Sequence, residues 1–233
     1  MDTNSVKGLM ALLVADGSLT RYDAIGGAYA QMTLTAGVTE AEVLKEKAEE
    51  VRRFLPTRAS ITPYNTAPRD NGKRTRMLRF RVSTRKLMPL YHLLYPFREK
   101  VISSDVLSLV GNRGAAWLWA DGARPQRDGS CLLVRVGRSE REAFLLAGWL
   151  NTLLGVDPEL DTGNLLPRLR LSPGDAKTAR TLLRPCAPRS RYHLFTENDG
   201  HQADTPGLDS LHWQRGAGTQ GEGTSPVADA QAA

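Results

Sequence analysis

The feature that most constrains the fold is an internal repeat, in which three landmarks recur in the same order along the 233-residue chain. The first landmark is an apolar stretch that ends in Ala-Asp-Gly, GLMALLVADG at 8–17 and GAAWLWADG at 114–122. The second is a helix start of the capping-box type, TEAE at 39–42 and SERE at 139–142. The third is an Arg-containing strand, LRFRVS at 78–83 and RLRLS at 168–172. Two copies of one structural unit therefore occupy most of the chain.

Each copy predicts the order helix, two strands, capped helix, two strands and a short helix. In the LRFRVS and RLRLS strands the apolar residues alternate with Arg, which is the period of a half-buried strand. The same alternation in CLLVRVGR at 131–138 predicts that Leu132, Val134 and Val136 face inward and Arg135 outward. One face of each sheet is therefore expected to contact the helices, and the other to bear Arg, Thr and Gln.

The net charge of +6 is unevenly distributed along the chain. From Glu197 onward there are six acidic residues and one Arg, so residues 1–196 hold 30 Lys and Arg against 19 Asp and Glu. A basic body favours a polyanionic partner, of which nucleic acid is the commonest, and a merely soluble basic surface is the alternative. The hydrophobic content of 41% excludes wholesale disorder. The Gly-, Thr- and Ala-rich residues 197–233 are predicted to be a disordered tail.

The sequence argues against a membrane-spanning protein, a protein with a signal segment, and a disulfide-rich or zinc-binding protein. Neither apolar stretch reaches the roughly 20 residues of a membrane span, and no basic-then-apolar signal segment opens the chain. Cys131 and Cys186 are isolated, which argues against a disulfide framework or a zinc site. We expect an intracellular protein, in a bacterial or phage-infected cytoplasm or in an organelle.

The two Ala-Asp-Gly endings place a carboxylate where the partial negative charge of a helix C-terminus makes it unfavourable. Small residues four positions apart lie on one face of each helix and allow two helix backbones to approach closely: Ala11 with Ala15, and Ala116 with Ala120. If these faces pack together about a pseudo-twofold axis, Asp16 and Asp121 meet at one end. A pair of Mg²⁺ ions, which prefer oxygen ligands, would stabilise such an anionic pocket.

In these paired motifs and in its repeat, the sequence resembles the LAGLIDADG homing endonucleases in their single-chain, two-repeat form. Residues 9–17 and 114–122 stand where the two nine-residue signatures of the family lie, and the similarity spans roughly residues 5–195. The setting of the second motif, YPFREKVISSDVLSLVGNRGAAWLWADG, is similar to the intron-encoded subfamily. Ser103 departs from a usual Pro, and Val14 and Trp119 replace the acidic residue of the motif.

The resemblance implies an α+β fold with pseudo-twofold tandem αββαββα repeats. Its two antiparallel, saddle-shaped sheets would have helices packed on one face. We expect the first repeat at residues 1–102, the second at 103–196 and the tail at 197–233.

The resemblance also implies a monomeric, site-specific homing endonuclease that makes a staggered double-strand break in a long duplex DNA target. Asp16 and Asp121 would hold two or more Mg²⁺ ions, replaceable by Mn²⁺, with the main-chain carbonyls of Ala15 and Ala120 as further ligands. The metals would activate water and stabilise the leaving 3′ oxygen.

Two basic positions and a set of strand residues complete the implied site. Lys100 matches the Lys that the family places near the scissile phosphate in the first repeat. His193 stands at that position in the second repeat, where Arg191 could substitute or His193 could simply be an exposed residue. The residues expected to contact DNA face outward on the strands, and for each one a solvated strand face is the alternative: Gln31, Thr33, Thr35, Arg79, Arg81, Arg135, Arg168 and Arg170.

Two alternative functions use the same scaffold. One is an RNA maturase that binds its host intron and assists splicing. The other is a sequence-specific DNA-binding protein with weakened catalysis, for which the missing second Lys is the only indication.

Overall fold

The computed structural model describes residues 1–68, 72–134, 136–137, 139–162 and 166–196. The elements of the first repeat are α1 (Thr3–Ala15), β1 (Ser18–Tyr22), β2 (Tyr29–Gly37), α2 (Ala41–Phe54), β3 (Ile61–Asn65), β4 (Arg76–Thr84) and α3 (Met88–Leu94). Those of the second are α4 (Ser104–Ser108), α5 (Gly111–Gly122), β5 (Ala123–Pro125), β6 (Cys131–Leu133), α6 (Glu140–Leu154), β7 (Glu159–Asp161), β8 (Arg168–Leu171) and α7 (Pro173–Leu183). Apart from the short helix α4, each copy follows the predicted αββαββα order. The exact repeat boundary stays a prediction, and the predicted tail lies outside the described residues.

Two four-stranded antiparallel sheets have the same topology, with strand orders β1-β2-β4-β3 and β5-β6-β8-β7. In the first sheet, Leu34 lies opposite Phe80 and Met32 opposite Val82, and all four side chains are buried. The alternation predicted for LRFRVS is therefore observed in β4, β2 alternates in the same way, and the predicted α+β class of two antiparallel sheets is confirmed. No helix in the described part of the chain is long and apolar enough to cross a membrane.

The face of β6 differs from the prediction. Cys131 and Leu133 pair with the inward residues Leu171 and Leu169, whereas Leu132 pairs with Arg170 on the outer face. Leu132 therefore lies on the outer side of the strand, contrary to the prediction, although its side chain is only 9% exposed; Val136 is buried as predicted. The continuous apolar run at this strand does not specify which residues alternate inward, and a shift of one residue exchanges the two faces of a strand. Arg135 lies outside the described residues.

The two predicted capping boxes have different outcomes. The Ser139 hydroxyl accepts a hydrogen bond from the Glu142 amide at 3.3 Å, so α6 begins as expected. The expectation for Thr39 is wrong, because Val38–Glu40 form a 3-10 turn and Glu40 is the N-cap of α2, without a side-chain cap bond among the described residues. The 3-10 turn moves the helix start beyond Thr39.

Helices α1 and α5 pack against each other in the middle of the core. The four alanines of the predicted small-residue faces are all buried: Ala11, Ala15, Ala116 and Ala120. A Cβ atom at Gly114 would lie 1.8 Å from Val110 Cγ1, at the start of the same helix, and 3.3 Å from the Ala11 Cα of α1. Small side chains are therefore a requirement of this crossing.

We expect Gly114→Val to lower the free energy of unfolding by about 1–3 kcal/mol, because the added side chain would clash with Val110 and overpack the crossing of α1 and α5. The measurement is urea unfolding followed by circular dichroism. Gly148→Val is the matched control, because nothing lies within 4 Å of a Cβ atom at this exposed position of α6. Equal losses in the two variants would contradict close packing at Gly114.

Candidate nucleic-acid interface and its acidic centre

The carboxyl ends of α1 and α5 bring two acidic side chains together. Asp16 directly follows α1, and Asp121 lies in the last turn of α5. Lys47 Nζ lies 2.9 Å from Asp16 Oδ1, 2.9 Å from Asp121 Oδ1 and 2.7 Å from Asp121 Oδ2. The two carboxylates share one partner, the Lys47 ammonium. The oxygen atoms that contact it are therefore no farther apart than the sum of two of these contact distances. Their predicted meeting, from positions 105 residues apart in the sequence, is observed.

Lys47 is the functional residue that the sequence analysis missed. It projects from α2 with a side chain that is 3% exposed, and its ammonium lies 5.3 Å from the centroid of the Trp117 ring. A signal was present in the sequence, because Lys47 stands three residues after Leu44 and four before Val51, on the buried stripe of α2. A Lys on an apolar stripe requires a buried anionic partner.

The charge of Lys47 is maintained by its two carboxylate partners. Burial lowers the pKa of Lys47, but the attraction of Asp16 and Asp121 and their hydrogen bonds outweigh it, so the pKa is raised above its ordinary value of 10.5. Lys47 is therefore an ammonium at neutral pH. Its stabilising contribution is fully present below pH 10.5 and is lost only as the pH rises through the raised pKa.

Lys100 lies at the same end of α1. Its ammonium donates hydrogen bonds to the main-chain carbonyls of Leu13 and Gly17, the latter at 3.0 Å. The Leu13 carbonyl belongs to the negative end of α1, where a cation is stabilising, and Gly17 lies just beyond that end. Two lysines therefore compensate the unfavourable position of Asp16 at a helix C-terminus.

His193 lies exposed in a 3-10 segment, Arg189–Phe195. Glu46 of α2 holds this segment by accepting hydrogen bonds from the amides of Arg189 at 2.8 Å and Ser190 at 2.9 Å. Arg191 forms an ion pair with Glu40. The roles of His193 and Arg191 at a scissile phosphate stay predictions.

The acidic centre does not fit a divalent ion while Lys47 is in place. Three of the four carboxylate oxygens of Asp16 and Asp121 already accept hydrogen bonds from its ammonium. Mg²⁺ requires near-octahedral oxygen coordination and would need the same oxygens. No cluster of three or more His, Cys, Asp or Glu side chains that could hold a metal occurs within the described ranges. Ligation by the Ala15 and Ala120 carbonyls stays a prediction.

The outer face of the first sheet collects the five residues predicted there to contact DNA. Thr33 lies opposite Arg81 and Thr35 opposite Arg79, while Gln31 Nε2 donates a hydrogen bond to Ser83 Oγ at 2.8 Å. The guanidinium of Arg79 stacks over the Tyr64 ring at 4.7 Å. The four strands of this sheet contain no Asp or Glu. This face is therefore polar and positively charged.

The second sheet presents a less positive face. Arg168 and Arg170 are on the outer side of β8, as predicted, but their partners on β7 are Asp161 and Glu159. Arg124 of β5, which lies opposite Leu132, adds one positive charge. The acidic residues of β7 offset part of the positive charge of Arg168 and Arg170. The alternation within a single strand could not indicate this, because it does not show which strand lies beside it.

Comparisons with known sequences and solved structures identify the fold of this chain. No protein-family model matches the sequence, and no curated protein matches it. The homing endonuclease I-WcaI bound to its DNA recognition sequence has a TM-score of 0.68 and 14% identity, over 84% of this chain and 88% of that one. Mesophilic variants of the homing endonuclease I-DmoI give a TM-score of 0.53 and 16% identity, over 80% of this chain and 93% of that one.

A variant of I-DmoI in complex with its target DNA in the presence of magnesium has a TM-score of 0.50 and 16% identity, covering 74% of this chain and 91% of that one. These structures show that the chain has the fold of the LAGLIDADG homing endonucleases. The resemblance inferred from the Ala-Asp-Gly motifs is thus confirmed in the fold.

We expect Lys47→Met to lower the free energy of unfolding by about 3–5 kcal/mol, because two buried carboxylates lose their common partner. The measurement is urea unfolding at neutral pH. Lys45→Met is the control, because Lys45 pairs with Glu42 on the exposed side of α2 and such pairs contribute less than about 0.5 kcal/mol.

Adding Asp16→Asn and Asp121→Asn to Lys47→Met should restore part of that loss, since the uncompensated charges are then absent. A triple variant that loses the sum of the separate effects would show that the three side chains are not energetically coupled.

Proposed function

We propose that the protein binds duplex DNA with the outer faces of its two sheets. The observation that carries this proposal is the first sheet, whose outward positions on β2 and β4 bear Gln31, Thr33, Thr35, Arg79 and Arg81 without a carboxylate in any of its strands. Such side chains donate to phosphates and to base edges in the major groove. The excess of Lys and Arg in residues 1–196 supports the same partner.

The spacing of the two arginines on β4 suits a base-paired ligand. Arg79 and Arg81 are two residues apart on one face, which separates their Cα atoms by about 7 Å in an extended strand. Two steps along B-DNA cover about the same distance, at roughly 3.4 Å each. Adjacent outward arginines can therefore address neighbouring positions of a major groove that accommodates a two-stranded ribbon.

The fold supports duplex DNA over intron RNA as the partner. The I-WcaI structure contains its DNA recognition sequence, and the I-DmoI variant contains its target DNA. A fold alone does not define a function, but the outer face of the first sheet bears the side chains that such binding requires. That face is what the proposed binding would use.

Metal-dependent cleavage at a specific site, with a staggered double-strand break, is the second candidate. The convergence of Asp16 and Asp121, with Lys100 at the end of α1, favours it. Lys47 opposes it, because its ammonium already neutralises part of the carboxylate charge and would repel a divalent ion at the same oxygens. We therefore propose DNA binding as the primary function and cleavage as the activity to be tested.

We expect the protein to bind a random-sequence duplex of about 30 base pairs with an affinity that falls steeply with salt. Arg81→Gln should weaken this binding and lower the salt slope by about one, if Arg81 contacts a phosphate. The measurement is fluorescence anisotropy at several salt concentrations. Lys45→Gln, which removes one charge from the helical side, is the matched control and should leave the slope unchanged. Equal effects of the two substitutions would place the DNA elsewhere.

Selection from a random duplex library then supplies a preferred target for the cleavage test. Incubation of that target with the protein in Mg²⁺, and in EDTA, separates the two candidates. Tight binding with intact DNA in both conditions supports the binding protein. Linearisation in Mg²⁺ that is lost in Asp16→Asn supports the endonuclease, and tighter binding to a structured RNA of equal length than to duplex DNA would favour the maturase.

A further inference from the structure

The two repeats differ in the side chains that they contribute beside Asp16 and Asp121. The observed N-caps, Glu40 and Ser139, align α2 with α6 at a separation of 99 residues, so the counterpart of Lys47 in the second repeat is the buried Leu146. One repeat therefore supplies a single cation to the carboxylates of both. The two acidic residues are related by the repeat, but the cation that pairs with them comes from the first repeat alone.

The position of that cation is determined by contacts on several sides. Its ammonium has three N–H donors, and three carboxylate oxygens lie within 2.9 Å. The Trp117 ring of α5 lies 5.3 Å away, within the range of a cation–π contact. The side chains of Lys47, Asp16 and Asp121 are 3%, 13% and 6% exposed, so water has little access to them.

We propose that the Lys47 ammonium is the resident cation of the Asp16–Asp121 pair and excludes divalent metal ions from this centre. A divalent ion on these oxygens would lie close to the Lys47 ammonium, and the repulsion between the two cations in this buried site opposes its binding. A metal would also have to displace a cation that is held in place by the covalent chain. This inference does not depend on DNA binding.

The proposal has a second consequence, which concerns the ligand class of the site. Without the ammonium, two carboxylates at the negative ends of two helices form a buried anionic site for a hard divalent cation. The neighbouring Lys100 would remain on the carbonyls of Leu13 and Gly17. Removal of Lys47 alone should therefore convert the centre into a divalent-cation site.

The experiment is titration with Mn²⁺ in the absence of DNA, followed by electron paramagnetic resonance of the free ion and by calorimetry. The wild-type protein and the control Lys45→Ala should bind no Mn²⁺ that depends on Asp16. Lys47→Ala should bind one ion with a Kd below about 1 mM, and Lys47→Ala/Asp121→Asn should lose it. Stoichiometric binding to the wild-type protein that Asp16→Asn abolishes would overturn the proposal, as would a folded Lys47→Ala that binds none.

A measurement on the full-length wild-type protein keeps the proposal testable if Lys47→Ala does not fold. The thermal unfolding midpoint of the wild-type protein should be unchanged by excess Mn²⁺, relative to Asp16→Asn. An increase that only the wild-type protein shows would mean that the ion enters despite Lys47. Because no DNA is present, failure here leaves the DNA-binding proposal intact, and failure of DNA binding leaves this one intact.

Discussion

The buried contact of Lys47 with Asp16 and Asp121 is the interaction on which the rest of the arrangement depends. It joins α2 to the ends of α1 and α5, and so joins the two repeats. Strands β1 and β5 begin within two residues of these carboxylates, so the same contact helps set where each sheet starts. Without a cation, two carboxylates at the negative ends of two helices would repel each other and the helix ends.

The repeats share a topology but differ in chemistry. The first sheet has two strands of nine residues and a face without carboxylates, whereas the strands of the second have three or four residues and the two arginines of β8 lie opposite Asp161 and Glu159. The basic residues of the centre, Lys47 and Lys100, likewise come from the first repeat as we delimit it. A DNA surface on this scaffold would therefore be unequal, with most of its positive charge on the first sheet.

Local patterns in the sequence predicted more of the fold than of the site. The repeat, the αββαββα order and the buried faces of β2 and β4 follow from periodicity, because alternation and small-residue spacing specify which side of an element is buried. The meeting of Asp16 and Asp121 follows from the same spacing. The inward face of β6 could not be obtained in this way, because its apolar run lacks an alternation. The cap expected at Thr39 is replaced by a 3-10 turn at Val38–Glu40, which the local pattern did not indicate.

The sequence by itself determined a duplicated α+β chain whose two Ala-Asp-Gly helices pack through alanines and bring two carboxylates together. It could not determine what compensates them, because a buried charge is paired by whichever side chain the tertiary packing brings within hydrogen-bond distance. The two carboxylates by themselves favour Mg²⁺ at that place, whereas the structure has the ammonium of Lys47 there. Only the packing of α2 against α1 and α5 decided this, since Lys47 lies 31 residues from Asp16 and 74 from Asp121 along the chain.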